Sequence, residues 1–157
     1  DSSQSRGLGD VYKRQNYAEA AKVLTVVKEL LAPGDLTTKD IGVITPYNGQ
    51  VRVLSDLFQE AGGRDKGEPF YGLEIKSVDG YQGREKEVIV FSAVRANDHG
   101  EVGFLSDRRR LNVALTRARR GLIVVGHPNT LQHDSTWKSW LEWVDERNLF
   151  AWHLSQV

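Results

Sequence analysis

The feature that most restricts how this chain folds is an alternation between short, nearly unbroken apolar runs and longer stretches with apolar residues at helical spacing. Ile41–Thr45 (IGVIT), Glu87–Val94 (EVIVFSAV) and Leu122–Gly126 (LIVVG) are dominated by Val, Ile and Leu and lack the polar alternation of a half-solvated strand. Strands of that kind are buried on both faces, the condition of a parallel sheet covered by helices. Leu73–Val78 adds a further strand. Helical spacing fills the gaps. Ala20, Val23, Leu24, Val27, Leu30 and Leu31 recur along one face, with Asn16 and Glu19 at capping-box spacing and Pro33-Gly34 as the stop. Val51, Leu54, Leu57 and Phe58 mark a second helix closed by Gly62-Gly63.

The remaining segments complete the prediction. Residues 64–72 are loop, and Asp79–Gly83 a turn. A loop at 95–103 leads into a helix beginning near Asp107, with Leu111, Val113, Ala114 and Leu115 on its apolar side and Gly121 as its break. A final amphipathic helix runs from Trp137 to Leu149, with Trp140, Leu141 and Val144 inward and Trp137, Trp140 and Trp143 as packing residues. The expected fold is α/β, a three-layer α/β/α domain with a mostly parallel sheet. The 157 residues suit a single domain. Residues 1–15 are polar with no sustained apolar period, so the expectation is a disordered leader or non-native remnant, with the domain spanning 16–157. A chain without methionine that begins at Asp1 is expected to be a piece of something longer.

Composition excludes some chemistry. With no cysteine there is no disulfide framework, thiolate metal site or cysteine nucleophile. The four histidines lack HxxxH or HExxH spacing, so no metal site is expected. Asp145-Glu146 has the letters of a paired-acid motif but lies within an amphipathic helix. No apolar run is long enough for a membrane-spanning helix, so no membrane partner is expected. The net charge of zero conceals an asymmetry. Residues 84–120 hold nine Lys/Arg against five Asp/Glu, giving +4 there and −4 elsewhere. Six of the nine are arginines at 108–120, the residue type that makes bidentate contacts with phosphate. Their position between two buried strands suggests the ligand crevice at strand carboxyl ends.

Three segments carry the chemistry. Ile41–Gln50 (IGVITPYNGQ), Ser77–Arg95 (SVDGYQGREKEVIVFSAVR) and Gly103–Gly126 (GFLSDRRRLNVALTRARRGLIVVG) resemble motifs IV, V and VI of superfamily 1 helicases. The resemblance covers residues 16–150 and is closest to the branch of the up-frameshift helicase of nonsense-mediated decay, senataxin and the immunoglobulin-mu-binding helicase. It implies the second, C-terminal RecA-like domain of an ATP-dependent helicase or translocase, moving 5′ to 3′ on single-stranded RNA or DNA in the cytoplasm or nucleus.

The resemblance also implies site roles. Arg117 is similar to the family's arginine finger, the catalytic residue that stabilises charge on the γ-phosphate in the transition state. Glu85 resembles the motif V acid that holds ribose hydroxyls; an exposed turn carboxylate is the plain alternative. Gln82 links nucleotide and nucleic-acid sites or stabilises the turn, and Gly80 and Gly83 allow tight backbone turns. Arg84 joins the nucleotide side, or pairs with Asp79 in a turn or interdomain salt bridge, and Arg119 also belongs with the nucleotide group. Thr45, Pro46, Tyr47, Asn48, Gln50 and Ser77 are the strand-contact candidates, suited to phosphate contacts that position a strand without reading bases. Tyr47 is either a stacking platform or packs on the helix that follows.

Absences bound the function. The chain has no GxxxxGK[ST] phosphate loop, so the loop, the acids that hold Mg2+ beside ATP and a second γ-phosphate arginine are expected on an upstream RecA-like domain. The fragment alone is expected to be inactive. The alternative is a non-catalytic helicase-like module that binds nucleic acid or protein. Without GxGxxG after a strand, a dinucleotide oxidoreductase is excluded.

Overall fold

The computed structural model of the protein describes residues 16–81, 85–94, 116–133 and 135–147. Asn16, in extended conformation, starts the first helix, α1 (Tyr17–Leu31), by accepting the Glu19 N–H at 2.9 Å. Gly34, at φ +86, takes the left-handed turn beyond the helix end that other residues enter only with strain. Strand β1 (Ile41–Thr45) is buried at every position. Helix α2 (Asn48–Gly62) follows, then β2 (Glu74–Ser77), a single 3-10 turn (Asp79–Tyr81) and β3 (Lys86–Ser92). After the segment outside the described residues come β4 (Ala118–Val125), the one-turn α3 (Pro128–Leu131) and α4 (Ser135–Glu146).

The four strands form a parallel sheet in the order β2-β1-β3-β4. Alternation within each strand divides the core in two. Ile41 and Val43 of β1 and Val88 and Val90 of β3 face α1 and α2, where they meet Val23, Val27, Leu54 and Phe58. Ile44, Ile89 and Phe91 face the other way, onto Trp137 and Leu141 of α4, Leu131 and Tyr81. This is the three-layer α/β/α arrangement of a RecA-like domain. Each fully buried Leu or Ile contributes roughly 1.5–3 kcal/mol of transfer free energy, so the central strands β1 and β3 anchor the domain.

Two local features differ from expectation. Gly121 does not end a helix: it lies inside β4, opposite Val88. The aliphatic run Leu122-Ile-Val-Val therefore starts its strand earlier, through Ala118, Arg119 and Arg120, because pairing with β3 continues below the apolar stretch. Trp137 and Trp140 pack edge-to-face at 5.6 Å in the α4 layer, whereas Trp143 is exposed with the Arg147 guanidinium 4.2 Å above its ring. At i+6 from Trp137, Trp143 has rotated off the inward stripe. The predicted helix near Asp107 and the Val144 side chain lie outside the described residues.

The connection from β2 to β3 positions the site. These strands lie on opposite sides of β1, so a short segment must return from the carboxyl end of the sheet to its amino end across the α4 face. Tyr81 occupies that crossing. It is fully buried, and its hydroxyl donates to the Glu74 carbonyl at 3.4 Å. The ring lies where β1 has no side chain, since a Cβ at Gly42 would stand 2.8 Å from Tyr81 Cζ.

Candidate functional site

Thr45 ends β1 opposite Ser77, which ends β2, so both mark the carboxyl edge of the sheet. Thr45 is fully buried, and its hydroxyl has no hydrogen-bond partner among the described residues. Pro46 leads into Tyr47, the N-cap of α2, whose side chain makes no capping bond, and Asn48 is exposed in the first turn. Ser77 Oγ accepts the Gly80 N–H at 3.3 Å and so shapes the turn that follows. Thr45, Pro46, Tyr47, Asn48 and Ser77 therefore belong to one edge.

Gln50 is arranged differently. It shares the inward face of α2 with Leu54 and Phe58 at i, i+4 and i+8, and is fully buried. Its Nε2 donates to the Asn16 carbonyl (3.0 Å) and to Ser92 Oγ (3.2 Å), while Oε1 accepts the Asn16 N–H (2.8 Å). These bonds tie α1, α2 and β3 together.

Glu19 completes this buried network, and the sequence assigned it only to a capping box. The cap is half formed: Asn16 accepts the Glu19 N–H, but the Glu19 carboxylate turns inward instead of back to Asn16. Its Oε2 accepts from Ser92 Oγ (2.5 Å) and from the Val94 N–H (2.7 Å). Val94 sits at φ +73, a left-handed conformation costly for a β-branched residue and stabilised here by that bond. Burial pushes the Glu19 carboxyl up to about 7, against the lowering effect of the Ser92 and Val94 bonds.

Arginines and acids meet at the opposite edge. Arg117 immediately precedes β4, and its carbonyl accepts the Lys86 N–H at 3.1 Å. Glu85 immediately precedes β3, and its Oε2 lies 3.1 Å from Arg119 Nε. Arg119 and Arg120 both reach Glu87, at 3.8 and 2.8 Å. Asp40, before β1, accepts the Thr37 N–H at 2.8 Å. That bond holds its carboxyl below the usual range, with Arg120 and Lys86 adding positive charge nearby. Lys86 itself bonds the Lys39 carbonyl and pairs with Glu74.

Arg117, Arg119 and Arg120 thus occupy the amino edge, not the carboxyl edge that a parallel sheet suggested, while Arg108, Arg109 and Arg110 lie outside the described residues. The TRARR run leads into its strand instead of following one, and in a parallel sheet that puts it at the opposite end. Seven strand residues, Lys86–Ser92, separate the edges, roughly 20 Å. Gln82, Gly83 and Arg84 lie outside the described residues. Among the described residues no three His, Asp or Glu side chains are grouped to hold a metal ion, and no helix is long and apolar enough to cross a membrane.

Residues 1–129 match the family described as AAA domain. The chain belongs to this family. It is a helicase domain of the superfamily 1 up-frameshift branch. It is 47% identical over 122 residues to the regulator of nonsense transcripts 1 homolog of Neurospora crassa, covering 78% of this chain and 11% of that protein. It is 43% identical over 122 residues to the ATP-dependent helicase NAM7 of Saccharomyces cerevisiae, covering 78% and 12%. Against the DNA polymerase alpha-associated DNA helicase A of Schizosaccharomyces pombe it is 42% identical over 149 residues, covering 93% and 21%. The chain spans between about a tenth and a fifth of the length of these relatives.

Within this helicase domain, two residues of the motif V segment stand at different edges: Ser77 at the carboxyl edge and Glu85 at the amino edge. The sequence could have disclosed the inward role of Gln50, since positions 50, 54 and 58 share one helical stripe. Nothing local disclosed that Glu19 would meet Ser92, 73 residues away.

Proposed function

We propose that the chain is the second, C-terminal RecA-like motor domain of an ATP-dependent helicase acting on single-stranded RNA or DNA in the cytoplasm or nucleus. In this reading residues 16–157 form the domain. The observation that supports this reading is that Thr45 and Ser77 stand at one edge of the sheet, and Glu85 and Arg117 at the other. On the amino edge Arg117 acts as the arginine finger and Glu85 receives the ribose, with Arg119 beside it; Gln82, Gly83 and Arg84 are assigned to the nucleotide by the motif alone. On the carboxyl edge Thr45, Pro46, Tyr47, Asn48 and Ser77 contact the nucleic-acid backbone. Gln50 supports that edge from within. The partial positive charge at the N-terminus of α2, beside Asn48, favours phosphate.

In this reading an upstream RecA-like domain binds ATP with Mg2+, and Arg117 reaches the γ-phosphate only when the two domains close. Making hydrolysis depend on closure couples turnover to movement along the strand. The isolated chain therefore has no ATPase activity. In the full-length protein that carries this domain, Arg117→Ala lowers kcat by about a thousandfold or more while leaving strand affinity intact. The measurements are nucleic-acid-stimulated phosphate release and equilibrium binding to a labelled oligomer. Wild-type turnover by the variant would refute the finger assignment, and turnover by the isolated chain would refute the need for a second domain.

A further inference from the structure

The register of β3 and β4 slips at the amino edge. Lys86 pairs with Ala118, yet Val88 pairs with Gly121, so Glu87 alone is opposed by both Arg119 and Arg120. A bulge of this kind re-aims side chains that a regular ladder would send to opposite faces. Here it lets both arginines turn toward Glu87 of β3 and Glu85 just before it. Arg120 Nε takes Glu87 Oε2 at 2.8 Å, while Arg119 lies 3.8 Å from that residue's other oxygen. The shorter contact of Arg119 is with Glu85, 3.1 Å from its Nε.

We propose that Arg119 is a positioning residue that holds Glu85 for the ribose, rather than a phosphate ligand. The inference rests on the ribose role proposed for Glu85. Three features support it. First, the pair is exposed, with 61% and 49% of the side chains accessible, so its contribution to stability is small. Second, Arg119 donates its Nε–H to one oxygen of Glu85, Oε2. A carboxylate anchored at one oxygen still has lone pairs for both hydroxyls of a cis-diol. Third, Glu85 precedes its strand and is not itself part of the ladder, so a side chain from β4 is what fixes its direction.

The test compares ATP with 2′,3′-dideoxy-ATP in the full-length protein, using nucleic-acid-stimulated turnover. The parent protein is expected to favour ATP by about tenfold or more in kcat/KM, the scale of one or two hydrogen bonds to a charged group. Glu85→Ala abolishes that preference. Arg119→Ala raises the KM for ATP several-fold, leaves kcat unchanged and removes most of the preference. The double variant is no worse than Glu85→Ala alone, and Arg119→Lys restores part of the preference. A merely structural role would not move the discrimination between the two nucleotides. If Glu85→Ala abolishes the preference but Arg119→Ala retains it, the positioning role is overturned and the ribose role stands. A fall in kcat with the preference retained identifies Arg119 as a transition-state contact, which also overturns the proposal. If Glu85→Ala keeps the preference, the ribose role fails and the inference fails with it.

Discussion

Replacing Glu19 by glutamine isolates the free-energy cost of burying a carboxylate at the carboxyl edge. In the folded chain the Glu19 carboxyl is raised from 4.5 to about 7, with burial as the dominant cause. Its hydrogen-bond partners among the described residues are Ser92 Oγ and the Val94 N–H, both neutral. Between those two values the native state holds a proton that the unfolded chain has released. Stability therefore falls as pH rises from about 4.5 to about 7 and levels off above that. At about 1.4 kcal/mol per pKa unit, the loss across the window is about 3 kcal/mol. Glutamine keeps an oxygen to accept both bonds but does not titrate. It also brings an amide NH2 into the buried site, a pH-independent cost of about 1–3 kcal/mol if it finds no acceptor. The diagnostic is thus the slope and not the absolute stability. Urea unfolding of the full chain at intervals from pH 4.5 to 8 should show the parent losing about 3 kcal/mol relative to Glu19→Gln. Parallel profiles for the two proteins would refute the argument, because Glu19 would then not change its protonation in the fold over that range.

Two further outcomes follow from the packing. Gly42→Ala drives a methyl into the Tyr81 ring and is expected to destabilise the domain by about 1–3 kcal/mol in thermal or urea unfolding, with partial recovery when Tyr81→Phe removes the hydroxyl. Gln50→Ala and Asn48→Ala should separate cleanly: the first removes the acceptor of the Asn16 N–H and costs about 1–3 kcal/mol of stability, whereas the second leaves stability unchanged and weakens oligonucleotide binding by the full-length protein. Equal effects of the two on stability would contradict the inward placement of Gln50.

Much of the fold follows from short-range pattern. The runs at Ile41–Thr45 and Glu87–Val94 predict strands buried on both faces, and β1 and the body of β3 are so buried. Asn16 and Leu31 bound the first helix in keeping with the cap and the Pro33-Gly34 stop. The misplacements come from features whose meaning depends on a partner. Gly121 resembles a helix stop until β3 lies beside it, and Trp143 joins a row of tryptophans whose helical phase excludes it from the core. Gln50 belongs to an amphipathic stripe as much as to a motif, and its fate is decided by Asn16 and Ser92, which lie 34 and 42 residues away.

The sequence by itself determined the parallel α/β class, the order of the elements and the family motifs, because burial periodicity and turn chemistry are set by neighbours along the chain. The tertiary structure alone decided which edge each motif occupies. Parallel strands send a segment entering a strand and a segment leaving one to opposite ends of the sheet, which separates Arg117 and Glu85 from Thr45 and Asn48. It also decided that Tyr81 crosses over Gly42, that a bulge turns Arg119 toward Glu85, and that Glu19 is buried against Ser92. Each of these depends on residues far apart in the chain, whose proximity is created by strand pairing and not by local preference.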